Sequence, residues 1–407
     1  MKKIILIEEL DVGMFVSGIT QSKGNLIVKS QGMIKNPGTI ESLKQKGILE
    51  LEVDVDKSDF VFVEPESPEL LEEPHQKVTT EKRTIQPISK PIDFEDQKQA
   101  FSGADKLYTE AKEIHSRFFT TLKQGQAPDF DSLNNLSQEI IDSVFDNADA
   151  LSCLVMLKET NNYLVEHALN NSILLTIFAK YRGYSQSVVE DLTMAGLLMD
   201  CGMALLPNEL VKSNEELSET DQGLIRTHVD ISFEIAERFS DVAPIVLDVI
   251  ANHHERIDGS GYPKQKTADE ISEYAQMAAI VDMYDDLLTD KPYRGSVNAQ
   301  KILENMQKDA SLNTELVNEF VEAIGMFPIG SLVALKSGKL AIVVQRNPDN
   351  PLEPIVMSFY SIRSKAMTEV KRIDLKRQTS DKILSSVSPE EFDINLPNFF
   401  RNALTGS

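Results

Sequence analysis

Between about residues 4 and 63 the apolar positions run in short β-type stretches. Ile4–Ile7, Gly13-Met14-Phe15-Val16 and Leu26-Ile27-Val28 are strand candidates, and Ile48–Val55 alternates apolar with acidic residues as a half-buried strand does. Thr39–Gly47, TIESLKQKG, reads as a short helix stopped by its glycine. Residues 1–63 are therefore expected to form a small α/β module. From 64 to 92 the period disappears: Pro65, Pro68, Pro74, Pro87 and Pro91 break up a stretch rich in Glu, Lys and Thr, which predicts a linker with a solvent-exposed His75.

From 93 to 325 the apolar spacing turns to threes and fours, as in QEIIDSVFDNADALSCLVML and NSILLTIFAKY. That spacing predicts a central all-α domain of several packed helices. After Phe327-Pro328 strand character returns: IGSLVALKSGKLAIVVQRN reads as strand, turn at Ser337-Gly338 and strand, with PIVMSFYSI as a third strand. A small β module over 326–375 and a loose tail over 376–407 complete the expected multidomain order, and no internal repeat is visible.

At 407 residues the chain exceeds what one ordinary core supports. A formal net charge of −23 argues against non-specific DNA or RNA binding, which needs clustered Lys and Arg. An anionic ligand would have to find a local positive site, such as a metal ion or an Arg/Lys pocket. Cys153 and Cys201 lie far apart and make no disulfide framework, which fits a reducing interior. The apolar start MKKIILIEELDVGM is broken by Glu8, Glu9 and Asp11, and no apolar run approaches membrane-spanning length, so a cytoplasmic location is expected.

Candidate chemistry gathers in the helical stretch. His167, His228 and the adjacent pair His253-His254 fall there, with Asp200, Asp258 and Asp282. Imidazole with carboxylate suits a borderline divalent metal such as iron, manganese or zinc. HHE followed by DGSGYP places a tight glycine turn, with Tyr262 and a stiffening Pro263, just past two histidines. The residues alone leave two readings open: a metal site with a ligand-facing turn, or a helix end with a glycine-rich stop.

The string NHHERIDGSGYP resembles the signature of the HD-GYP family, and IVDMYDDLLTDKPYR resembles that family's next motif, where an Asp binds metal and Pro-Tyr-Arg follows. YLVEHALNNSILL places His167 at the family's first His ligand, and RTHVDISFEI places His228 at the ligand that follows the HD pair. The resemblance spans the helical domain and, more loosely, its flanks; ELDVGMFV followed by a helix and LEVDVD resembles a small domain often found ahead of HD-GYP domains. It implies a helical HD-type fold that binds two metals, iron or manganese, and hydrolyses cyclic di-GMP to the linear dinucleotide or GMP. By position, one metal would take Asp200, His228, His253 and His254, and the other His167, Asp200 and Asp282. Tyr262, Lys291, Tyr293 and Arg294 would contact the cyclic dinucleotide or support its pocket, although the family usually has Arg where Lys291 stands.

The departure lies at the HD pair. AGLLMDCGMALLP keeps the Asp and the Gly, but Met199 replaces the histidine and Met203 the family's lysine. A thioether is a weak, soft donor for iron(II) or manganese, so one tightly held metal and a weak or absent second are expected. Two readings of function follow: a damaged phosphodiesterase, or a catalytically inactive module that binds cyclic di-GMP or docks signalling proteins. Other signalling proteins and a second copy of the chain are further candidate partners.

Overall fold

The computed structural model describes the chain apart from residues 1, 8–9, 11, 23–31, 46–47, 55–56, 59–93, 157–162, 212, 214, 240–241, 290–297, 348–349, 379, 393, 397–398 and 400–407. The chain divides into two units, Met1–Ile85 and Gln86–Ser407. In the first, strands β1 (Lys2–Leu6), β2 (Phe15–Ser22), β3 (Gly32–Met33) and β4 (Ile48–Asp54) form a sheet of order β1-β4-β2-β3, with helix α1 (Pro37–Gln45) between β3 and β4. Its core is Ile7, Leu10, Met14, Val16, Ile34, Leu51 and Val53, packed by Ile40 and Leu43 of α1. The expected strand at Leu26–Val28 and the linker over 64–92 lie outside the described residues.

The second unit is mainly helical: α2 (Phe94–Lys123), α3 (Phe130–Met156), α4 (Tyr163–Arg182), α5 (Gln186–Leu198), α6 (Asn208–Val211), α7 (Glu219–Arg226), α8 (His228–Ala236), α9 (Pro244–Asn252), α10 (Glu273–Leu288), α11 (Ala299–Met306) and α12 (Thr314–Ile324). Polar residues set the helix starts. Ser218, Ser272, Asn298 and Asn313 each accept a backbone N–H of the first turn, and Pro244 opens α9 where its missing N–H costs nothing. Among the described residues, no helix is long and apolar enough to cross a membrane.

Helix α4 is buried continuously from Val165 to Ala179, as a helix at the centre of a bundle must be. It packs closely on α5, and Gly196 makes that approach possible: a Cβ there would lie 2.5 Å from the Ser172 Cα. Ser172 Oγ donates to the Thr193 carbonyl at 2.8 Å, and the Thr176 and Thr193 hydroxyls pair at 2.7 Å, so the crossing is knit by polar as well as apolar contacts. Both helices therefore deliver their ends to one place. His167 sits near the start of α4, and Asp200 follows the end of α5.

Strands β5 (Leu332–Leu335), β6 (Lys339–Gln345), β7 (Ile355–Ser361), β8 (Ala366–Asp374) and β9 (Ile383–Ser386) form an antiparallel sheet of order β8-β7-β6-β5-β9. The sheet shares a continuous core with the helices, and Arg346 at the end of β6 pairs with Asp149 of α3 at 2.6 Å. The loose tail expected over 376–407 is corrected here: Ile383–Ser386 pairs with β5, and Leu396 and Phe399 pack on the core.

Candidate metal centre and ligand pocket

His167 comes from α4, Asp200 from the turn after α5, His228 from the first residue of α8, His253 and His254 from the end of α9, and Asp282 from α10. These elements meet, so the candidate ligands converge in space. Asp200, His228, His253 and His254 each offer a ligand atom, all within 4.8 Å of one another, and so do His167, Asp200 and Asp282. Asp200 lies between the two groups. Its Oδ1 is 3.2 Å from His228 Nε2 and 3.8 Å from His253 Nε2, while its Oδ2 is 3.4 Å from His167 Nε2.

Neighbouring acceptors fix the ring orientations. His167 Nδ1 donates to Asp285 Oδ2 at 2.7 Å, His228 Nδ1 to the Ile225 carbonyl at 2.7 Å, and His253 Nδ1 to the Ile250 carbonyl at 2.9 Å. With Nδ1 so engaged, each ring turns its Nε2 inward, as a metal-ligating histidine does. Asp285 is itself held, accepting 2.9 Å from Asn170 Nδ2, whose Oδ1 accepts from the Tyr108 hydroxyl at 2.8 Å. Tyr163 stacks on His167, with ring centres 5.3 Å apart, and its hydroxyl donates to Asp286 at 3.0 Å.

The electrostatics of this pocket are strained in opposite directions. Burial would lower the His167 pKa, but the carboxylates of Asp200, Asp282 and Asp285 outweigh it and hold it well above the usual value. Burial would raise Asp200, but the imidazoles of His167, His228 and His253 beside it outweigh burial and hold that carboxyl well below its usual range. Burial, reinforced by the charges of His253 and His228, pushes His254 far down.

The residues fit a divalent cation. Asp200 Oδ2 and His253 Nε2 are buried without a hydrogen-bond partner, and the His254 and His228 Nε2 atoms face each other at 3.2 Å. With the His228 proton on its other nitrogen, that approach is repulsive unless a cation or a second proton lies between the rings. The first group offers three imidazoles and a carboxylate, the second one imidazole and two carboxylates, and such sets suit iron, manganese or zinc.

Met199 ends α5 fully buried, and Met203 lies half-buried in the 3-10 helix Cys201–Leu205. Gly202 between them lets this turn press on α8, because a Cβ there would lie 2.4 Å from the His228 carbonyl oxygen.

The loop after α9 folds back on the histidines. The buried Glu255 carboxylate accepts the Lys264 N–H at 2.7 Å and the Lys266 N–H at 3.0 Å, and Tyr262 N donates to the His254 carbonyl at 3.2 Å. The Tyr262–Pro263 peptide is cis. Tyr262 stacks on the His254 ring at 4.6 Å, and the Arg226 guanidinium stands 4.9 Å from the centre of the Tyr262 ring. Burial and the nearby Asp282 and Asp200 charges push the Tyr262 hydroxyl far up, so it stays a neutral donor. Lys291, Tyr293 and Arg294 lie outside the described residues.

Asp285, Asn170, Asn171, Glu255 and Arg226 went unread in the sequence. A signal existed for some of them. Glu166, His167, Asn170 and Asn171 put polar groups at spacings of three and four on a helix otherwise apolar, and Asp285 follows Asp282 by three on α10.

Comparison with known proteins agrees with this geometry. Residues 153–314 match the HD domain family, and residues 2–133 match a domain of unknown function, DUF3391. A cyclic di-GMP phosphodiesterase of Pseudomonas aeruginosa is 28% identical over 404 residues, covering 96% of this chain and 93% of that protein. The cyclic di-GMP phosphodiesterase PdeB of Borreliella burgdorferi is 26% identical over 201 residues, 49% of this chain and 53% of its own length. A 3'3'-cGAMP-specific phosphodiesterase of Vibrio cholerae is 28% identical over 152 residues, 37% of this chain and 35% of its own length. Residues 153–314 thus carry an HD domain, with Met199 standing where the HD-GYP motif that the sequence resembles has its histidine.

Proposed function

We propose that the chain is a metal-dependent phosphodiesterase that opens cyclic di-GMP, with one divalent ion held tightly and a second held weakly. The reading is carried by the convergence of His167, Asp200, His228, His253, His254 and Asp282, and the Pseudomonas relative, matched along nearly its whole length, supports it. Asp200, His228, His253 and His254 would hold the tight ion. His167, Asp200 and Asp282 would hold the weaker one, iron or manganese in either case. When bound, such an ion polarises a phosphate oxygen and makes a water more acidic near neutral pH.

The chain's own residues orient and enclose. Backbone carbonyls and Asp285 lock the imidazoles, and burial keeps bulk water from screening the charges. Tyr262 and the Arg226 guanidinium beside it are proposed as contacts to the dinucleotide, the arginine through its positive charge. Lys291, Tyr293 and Arg294 are proposed as further contacts to the dinucleotide. Met203 supplies no charge, so the phosphates lose one partner relative to the family pattern.

A fully buried Met199 in place of an imidazole favours a second reading, a binding module without turnover. Chromatography of cyclic di-GMP incubated anaerobically with the protein and iron(II) or manganese(II) separates the two. Linear dinucleotide or GMP should form, and a Met199→His, Met203→Lys double variant should form it about tenfold faster or more. Tight binding with no product in either protein would leave only the binding module. Running 3'3'-cGAMP alongside tests whether the Vibrio relative's substrate is preferred.

A further inference from the structure

The group formed by His167, Asp200 and Asp282 is short of donors, and Asn171 stands against it. We propose that the Asn171 amide oxygen completes this second site, making it oxygen-rich and suited to a hard divalent cation such as manganese. The proposal rests on the metal-binding reading above and on nothing about the substrate.

Asn171 follows His167 by one turn of α4 and is fully buried. Its Oδ1 has no hydrogen-bond partner, while its Nδ2 lies 3.1 Å from His167 Nε2. A dry amide oxygen left unpaired is destabilising, so an occupant for that oxygen is expected. The two ends of a side-chain amide exchange places by a half-turn about its last bond. With N–H toward His167, the amide needs a lone pair on Nε2. That lone pair is lost if Nε2 binds a cation, and equally if Nε2 carries a proton toward Asp282 Oδ1 at 3.0 Å. Turned the other way, the oxygen fits both situations and stops being an orphan.

The spacing is that of a coordination shell. Around His167 Nε2 lie Asp282 Oδ1 at 3.0 Å, the Asn171 amide terminus at 3.1 Å and Asp200 Oδ2 at 3.4 Å. Ligand atoms at right angles on bonds of about 2.1 Å sit about 3 Å apart. The helix crossing holds Asn171 in place, since a Cβ on Gly196 would come within 2.9 Å of the Asn171 carbonyl carbon. Two carboxylates and an amide oxygen beside one imidazole make a harder set than the imidazole-rich first site.

The test is a titration of the metal-free full-length chain with manganese(II), followed by calorimetry and by the loss of the free-ion electron paramagnetic resonance signal. Two binding events are expected. Asn171→Leu should abolish the weaker event, or weaken it about tenfold or more, and leave the stronger within about twofold. Asn171→Asp, which keeps the shape and adds charge, should tighten the weaker event. A single event in the parent, both events intact in the Leu variant, or an Asp variant as weak as the Leu one would each overturn the proposal. If the Leu variant loses both events through misfolding, the Asp variant decides. Manganese binding that behaves as expected without hydrolysis would sink the phosphodiesterase reading alone, and hydrolysis with an indifferent Asn171 would sink this one alone.

Discussion

Arg226 closes α7 two residues before His228 and lays its guanidinium near Tyr262, in a chain whose Met203 carries no charge where the family has a lysine. If it meets a phosphate of the ligand, its removal should weaken binding rather than chemistry. Arg226→Ala is expected to raise KM for cyclic di-GMP about tenfold with kcat within about twofold, because hydrogen bonds to charged groups contribute roughly 1.5–3 kcal/mol. Arg226→Lys should recover part of the loss, as a point charge replaces a fork. An unchanged KM in Arg226→Ala would show that the side chain merely packs on the tyrosine. At this scale the six convergent residues were legible through the HD-GYP-like strings that carry them, since the residues alone left a metal site and a glycine-rich helix end both open. Asp285 was less so, because its pairing with His167 spans 118 positions and only its spacing of three from Asp282 hinted at it, while Asn171 showed only as a polar position one turn after His167 on an apolar helix.

The α4–α5 crossing is the element on which the second site depends. Gly196→Ala would force a methyl group into the Ser172 backbone, at an overpacking cost of about 1–3 kcal/mol. The variant should melt earlier, and it should lose the weaker manganese event before the stronger one, since His167 and Asn171 move with α4. Equal loss at both sites would place the wedge's effect elsewhere. Helical period identified the central bundle, and apolar runs identified β5, β6 and β7. Strand β8 escaped because it is a sheet edge whose residues are mostly exposed, so no apolar alternation marks it. Strand β9 is four residues long, too short for a period to register, and its place is set by pairing with β5.

For the whole molecule the dominant quantity is the formal net charge of −23. A dianionic dinucleotide approaching such a chain meets a repulsive field, which only a local positive site such as a bound cation or an arginine would offset. Raising salt from about 0.01 to 0.15 M shortens the screening length from about 30 to 8 Å. The association rate of a fluorescent cyclic di-GMP analogue should therefore rise severalfold in stopped-flow, the reverse of a nucleic-acid binder. A rate that falls with salt would mean that the local cations govern the encounter. Composition made this field readable at once, whereas the pairing of Arg346 with Asp149, which fastens the sheet to α3, depends on groups 197 positions apart and could not be read.

One buried ring ties these scales together. His115 of α2, sealed from water and kept neutral by that burial with its pKa down at about 4, donates Nε2–H to the Leu197 carbonyl at 2.9 Å. The DUF3391 match runs to residue 133 and so takes in all of α2, while Leu197 sits three residues ahead of Asp200. The imidazole is thus a strut of fixed length between α2 and the turn that carries the Asp200 carboxylate. A slide of α2 by one helical turn, about 5.4 Å, would snap it and strand a donor and an acceptor in a dry interior. Any push delivered along α2 must drag the aspartate's turn with it or forfeit that bond.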